Sequence, residues 1–156
     1  MEPITLIFSF LLALLLSLYG TPLAARVAQS YGIMDVPDGR LKTHGKPTPY
    51  MGGVVIYFAF IAPAALVFPF NRELLGILFA GSILLVVGLF DDLKAMTPGT
   101  KMLFQAVAVY IVIKSGVIIN LLFISPFWNT VLSVIWLLTL INAFNIIDIM
   151  DGLATL

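Results

Sequence analysis

Between Leu74 and Asp92 the chain reads LLGILFAGSILLVVGLFDD, an apolar run that stops on two adjacent carboxylates. Its uncharged part, Leu74 to Phe90, is just long enough to cross a ~30 Å hydrocarbon core as a helix. A soluble domain would have to bury such a helix under polar surface, and this chain has little to offer. Apolar residues make up 61% of its 156 residues, charged residues 10%, and mean hydropathy is +1.10. Soluble domains carry about 25% charged residues. The reading is an all-α, polytopic membrane protein.

Working outward from that run, similar segments recur. Downstream lie Met102–Ile119 and Phe127–Ile147, and upstream lie Met51–Phe68 and Ile4–Ala25. About five transmembrane helices follow, at 4–25, 51–68, 74–90, 102–119 and 127–147, forming one helical domain. The first run is read as a span rather than a cleaved leader: Glu2 is the only charge before Arg26, and the run exceeds an ordinary leader core. Pro63 falls inside the second segment, where it can kink the helix. Phe127 and Trp128 suit a membrane interface. Arg26–Tyr50 forms a polar loop rich in Pro and Gly, and Pro98–Gly99 marks a turn between the third and fourth helices. Formal charge is zero, which gives no footprint for nucleic acid, and the absence of cysteine excludes disulfides and thiolate metal sites.

Five spans put the first loop, the third loop and the C-terminus on one side. That side carries Arg26, Arg40, Lys42, Lys46, Lys94 and Lys101, against Arg72 and Lys114 on the other. The positive-inside bias makes the richer side cytoplasmic and sets the N-terminus outside. Asp91, Asp92, Asp148 and Asp151 then share the cytoplasmic boundary.

Three constellations stand out, each with a plain alternative. Asp91 and Asp92 repel one another at the wrong pole of a helix, since anions are disfavoured at a C-terminus. A divalent cation, Lys94 or Lys101, or full hydration would compensate, and the plain alternative is a solvated helix stop. The stretch from Asn142 to Asp151, NAFNIIDIMD, sets polar groups every third residue in an apolar sequence. Asn145, Asp148 and Asp151 form a slowly turning stripe that should face protein, water or ligand rather than lipid. Its alternative is adhesion between helices. The first loop concentrates Arg40, Lys42, His44 and Lys46 beside the membrane, either as a phosphate site or as a contact for anionic lipid.

These three blocks resemble the polyprenyl-phosphate N-acetylhexosamine-1-phosphate transferase family. That family includes undecaprenyl-phosphate GlcNAc-1-phosphate transferases and phospho-N-acetylmuramoyl-pentapeptide transferase. Asp35–Gly53 is similar to its first cytoplasmic loop. Gly88–Asp92, with Lys101 and Gln105 downstream, resembles its aspartate-pair block. Asn142–Ala154 resembles its Asn-x-x-Asp-x-x-Asp-Gly block. The resemblance covers essentially the whole chain and leans to the GlcNAc branch. The family's later Gly-Asp-x-Gly segment and histidine loop have no counterpart before Leu156, so the resemblance is to an N-terminal half.

The resemblance implies a plasma-membrane (inner-membrane) enzyme of envelope glycan synthesis, such as lipopolysaccharide or teichoic acid. Its substrates would be a UDP-N-acetylhexosamine and a polyprenyl phosphate, its product besides the lipid UMP, and its cofactor magnesium, or manganese in its place. Asp91 and Asp92 are the catalytic candidates. Asn145, Asp148, Asp151, Lys42, His44 and Lys101 are the substrate-binding candidates, and Asp91, Asp92 and Asp151 the metal candidates. Implied partners are the bilayer and a second copy or a separate C-terminal half. Rival readings are an incomplete fragment serving in assembly, an intramembrane prenyltransferase and an ion-coupled transporter. The prenyltransferases' Asp-x-x-x-Asp spacing is missing from Asp91-Asp92-Leu-Lys. Transporter sites favour the midplane and repeats, neither of which the sequence offers.

Overall fold

Each helix starts and stops where its local chemistry dictates, and these points differ from the ends that hydropathy suggests. The computed structural model describes residues 2–35 and 47–147. Among these described residues there are five helices: α1 Pro3–Ser30, α2 Gly52–Val67, α3 Arg72–Leu93, α4 Pro98–Ser115 and α5 Pro126–Ile147. α1 runs past the expected Ala25 because a charge at Arg26 does not interrupt backbone hydrogen bonding. The Tyr31 N–H still donates to Val27 O, at 3.1 Å. α3 begins under Asn71, whose side chain accepts from Leu74 N at 2.8 Å, as an N-cap should. It continues to Leu93, so Asp91 and Asp92 occupy its last turn and do not terminate it.

α4 departs most from expectation. Pro98–Gly99 is its first turn and no loop: Thr97 caps it by accepting from Thr100 N, and proline at the first helical position lacks only a donor that would have no partner anyway. The helix ends at Ser115, short of the expected Ile119, because Gly116 adopts φ +107°. That left-handed residue closes the helix in the manner typical of glycine. Pro22 and Pro63 lie inside α1 and α2.

Among the described residues three helices, α1, α3 and Pro126–Asn145 of α5, are long and apolar enough to cross a membrane by length and composition. α2, with 16 residues, rises about 24 Å and falls below that length. α4 carries Lys101, Gln105 and Lys114 and is not among the three. The region expected to be all loop contains a short antiparallel ladder, β1 (Met34–Asp35) on β2 (Thr48–Pro49), with Met34 opposite Pro49 and Asp35 opposite Thr48.

α1 packs along α2, α3 along α4, and α4 against α5, while α2 and α3 meet more lightly. Successive helices alternate in direction. One end of the bundle therefore gathers the ladder, the start of α2, the end of α3, the start of α4 and the end of α5. It is called the ladder end below, and the opposite one the far end.

The buried positions are small: Ala28, Ala59, Ala64, Ala80 and Ala108, with Val87 and Val109. Large side chains such as Leu6, Phe10, Phe79, Leu103 and Trp136 point outward. Water-soluble proteins bury the large apolar residues. The reverse pattern is that of helices approaching closely in a solvent as apolar as leucine. Gly76 illustrates the closeness, since a Cβ there would overlap Ser115 Cβ and Oγ. Between α2 and α3, the Tyr57 hydroxyl donates to Leu78 O at 2.6 Å, with Gly81 making room for its ring.

Candidate active site

The last turn of α3 aims Asp91 at the first turns of α4. The Lys101 ammonium donates to Asp91 Oδ2 at 2.8 Å. The Met96 N–H, on the short link between the two helices, donates to Asp91 Oδ1 at 2.9 Å. Of the compensations open to a carboxylate at a helix C-terminus, the structure supplies the lysine for Asp91. Both of its oxygens are engaged, so Asp91 joins α3 to α4. Asp92, one residue on, is exposed. The two aspartates therefore occupy different surroundings.

One helical turn beyond Lys101, Gln105 lies on the same face of α4 and is only 3% exposed. It pairs reciprocally with Asn142 of α5. Asn142 Nδ2 donates to Gln105 Oε1 at 3.0 Å, and Gln105 Nε2 donates to Asn142 Oδ1 at 3.4 Å. Asn142 Nδ2 also donates to Leu138 O at 2.8 Å. A polar line thus runs Asp91–Lys101 between α3 and α4, then Gln105–Asn142 between α4 and α5. Asn145 follows Asn142 by one turn, towards the ladder end, and is exposed.

The structure brings Asp91, Asp92, Lys101 and Asn145 to one end of the bundle. Lys42, His44, Asp148 and Asp151 lie outside the described residues. The Gln105–Asn142 pairing was not read from the sequence. Its signal was available: a lone amide four residues after Lys101 in an apolar helix demands a partner.

Among the described residues no group of three or more His, Cys, Asp or Glu side chains gathers to hold a metal ion. The donors present are hard carboxylate oxygens, which magnesium prefers. Magnesium also retains water and takes one or two carboxylates together with substrate phosphates. Asp92, beside the Lys101-bound Asp91, fits such a partial shell and falls short of a closed cage. The ammonium of Lys101 and this carboxylate pair, together at a helix end, can bind and orient a phosphate-bearing ligand with its counter-ion.

The family model described as "Glycosyl transferase family 4" matches residues 74–156, a stretch that begins in α3 and includes the whole polar line. Over 97% of its length the chain is 30% identical to a probable undecaprenyl-phosphate N-acetylglucosaminyl 1-phosphate transferase of Bacillus subtilis, covering 44% of that protein. It is 31% identical, over 89% of its length, to an undecaprenyl-phosphate alpha-N-acetylglucosaminyl 1-phosphate transferase of Thermotoga maritima, again covering 44%. It is 32% identical to a phospho-N-acetylmuramoyl-pentapeptide-transferase of Campylobacter lari, over 95% of this chain and 49% of the relative. The chain spans somewhat less than half the length of these curated relatives. No solved structure gives a significant match.

Proposed function

The chain belongs to glycosyl transferase family 4, and from that membership we propose that it contributes the N-terminal part of a polyprenyl-phosphate N-acetylhexosamine-1-phosphate transferase. The reaction would pass N-acetylhexosamine 1-phosphate, GlcNAc 1-phosphate foremost, from a UDP-sugar to a polyprenyl phosphate and release UMP. The observation that carries this reading is the polar line from Asp91 through Lys101 to Gln105 and Asn142, lying within the matched residues at one end of a largely apolar bundle.

The chemistry explains why such residues are needed. The attacking lipid phosphate has a second pKa near 6, so at neutral pH it is already mostly ionised and a strong base is dispensable. The larger obstacle is bringing one phosphate anion against a diphosphate. Positive charge fixed before the reaction removes that cost without reorganisation. Lys101, held in place by Asp91, provides one such charge, and Lys42 and His44 would provide others from the first loop. Asp92, exposed beside the ion pair, is the residue assigned to the nucleophile or to magnesium. Asn145, Asp148 and Asp151 would bind the nucleotide-sugar or order the metal. Magnesium, when bound by Asp92 and its neighbours, supplies further charge neutralisation at the phosphates. The excess of basic residues in the first and third loops supports a cytoplasmic position for the ladder end, at the plasma membrane.

A second reading rests on the covered length. A chain spanning under half of its relatives would need the remaining half, or another copy, to turn over. Membranes carrying the chain, alone and beside the C-terminal half of a relative, are incubated with radiolabelled UDP-GlcNAc and undecaprenyl phosphate, with and without magnesium. UMP release that requires magnesium supports the transferase, and release only in the presence of the second half supports the split form. Asp92→Asn should abolish transfer while the protein still inserts. Near-normal turnover by that variant would refute the role given to Asp92.

A further inference from the structure

The connection between α4 and α5, residues 116–125, lies at the far end, away from the candidate site, and it combines two features that do not belong together in water. Its tip exposes two consecutive large apolar side chains almost completely, Leu122 at 95% and Phe123 at 97%. Yet it is no loose tether. Ser133 Oγ accepts from Ile119 N at 2.8 Å, and Asn129 Oδ1 accepts from Leu121 N at 3.1 Å. Asn129 Nδ2 donates to Leu121 O at 3.4 Å and to Asn120 Oδ1 at 3.5 Å. Ser133 also donates to Asn129 O at 2.7 Å. Asn129 and Ser133 are 5% and 1% exposed, and they sit one turn apart on α5, aimed at the loop backbone. Val117 N and Ile124 N find carbonyl partners at Val112 and Leu121.

The base of the connection, at Val117, Ile119 and Leu121, is thus tied to protein, while the tip amides of Leu122 and Phe123 have no partner among the described residues. Unpaired backbone groups are costly within a membrane, so the tip backbone belongs at headgroup level, where water reaches it, and only its side chains can go deeper. The lengths agree. α4 has 18 residues and rises about 27 Å, close to a ~30 Å core, so a chain entering the core at Pro98 would reach the opposite boundary near Gly116. Around it lie the groups that favour an interface. Trp128, which meets Phe127 edge-to-face at 5.3 Å, has the amphipathic kind of ring found at headgroup level. Lys114 extends over the Tyr110 ring, 5.7 Å from its centroid, on a stem long enough to snorkel.

We propose that the α4–α5 connection is a lipid-inserted loop: the side chains of Leu122 and Phe123 enter the acyl region of the leaflet opposite the carboxylates, while the tip backbone, Trp128 and Lys114 lie at its headgroups. The inference is independent of the transferase reading, because it uses none of the residues at the ladder end. It makes the far end a docking surface for bilayer lipid, held rigid by α5.

The test uses the full chain reconstituted in phosphatidylcholine–phosphatidylglycerol bilayers. The chain contains two tryptophans, Trp128 and Trp136, so a Phe123→Trp, Trp128→Phe, Trp136→Phe variant reports from the loop tip alone. Strong quenching by acyl-brominated lipid, with several-fold weaker quenching by acrylamide than of free tryptophan, supports the proposal. Ready quenching by acrylamide would place the tip in water, and protection from both quenchers would mean that protein covers it. Either overturns the proposal. Because the sequence has no cysteine, a nitroxide on Leu122→Cys gives a second readout with the tryptophans left intact. Collisions with oxygen should exceed those with a water-soluble nickel chelate, and the opposite order would overturn the inference.

Discussion

Replacing Gln105 by methionine keeps its length and removes both halves of its amide. Asn142 would then lose an acceptor partner for its Nδ2 and the donor to its Oδ1, but would keep the 2.8 Å bond to Leu138 O. Two interhelical bonds in a membrane bundle average ~0.6 kcal/mol each, and one orphaned polar atom adds about 1 kcal/mol, so Gln105→Met should cost ~2 kcal/mol. Asn142→Leu is the harsher change. It strands both ends of the almost fully buried Gln105 amide, for ~2–3 kcal/mol by the same reasoning. The double variant has no stranded group and should cost no more than ~1 kcal/mol. The expected interaction energy is therefore about 3 kcal/mol, at the upper end for residues in direct contact. Reversible unfolding in mixed micelles with a rising fraction of a denaturing detergent, followed by circular dichroism, measures the cycle. Additive costs, with an interaction within ~0.5 kcal/mol of zero, would refute the claim that these two amides hold α4 to α5.

Three further changes test the remaining joints. Gly76→Ala places a methyl group on Ser115 and should destabilise the α3–α4 pair by ~1–3 kcal/mol as an overpacked interface, with Ser115→Gly restoring most of the loss in the same assay. Lys101→Met leaves Asp91 with only the Met96 N–H. The pair is about a quarter exposed on each side, so the cost should fall between surface and buried limits, ~1–2 kcal/mol, and adding Asp91→Asn should recover part of it. Ser133→Ala removes the acceptor of Ile119 N and should speed hydrogen exchange at that amide while leaving exchange in the middle of α3 unchanged.

The helical, membrane-type fold was legible because hydropathy over some twenty residues is a strong signal, and each of the five helices contains most of an apolar run. The ends were less legible, and the reasons are local. Arg26 looks like a boundary to a hydropathy reading but not to a backbone that keeps bonding as far as Tyr31. Pro98–Gly99 has the composition of a turn, yet with Thr97 before it the same dipeptide opens a helix. Val117, Ile118 and Ile119 are as apolar as the helix preceding them, and only the left-handed Gly116 separates them from it. The site was legible in its ingredients and partly in its joints. Lys101 is among the partners that the Asp pair calls for, because a helix C-terminus needs a cation. That this cation serves Asp91, while Asp92 stays exposed, depends on the angle between two helices, which no spacing along one strand of sequence encodes. The Asn129–Ser133 clamp was missed for a similar reason: an Asn and a Ser in an apolar helix announce a need for partners without saying that the partners are backbone amides of the preceding loop.

The two-residue ladder sets a geometric bound on what the first loop can do. Asp35 and Thr48 are cross-strand neighbours, so the two ends of the stretch that separates them are fastened together. The ladder stands at the same end of the bundle as Asp91 and Lys101, and that stretch is therefore tied at both ends to the part of the fold where the candidate site lies.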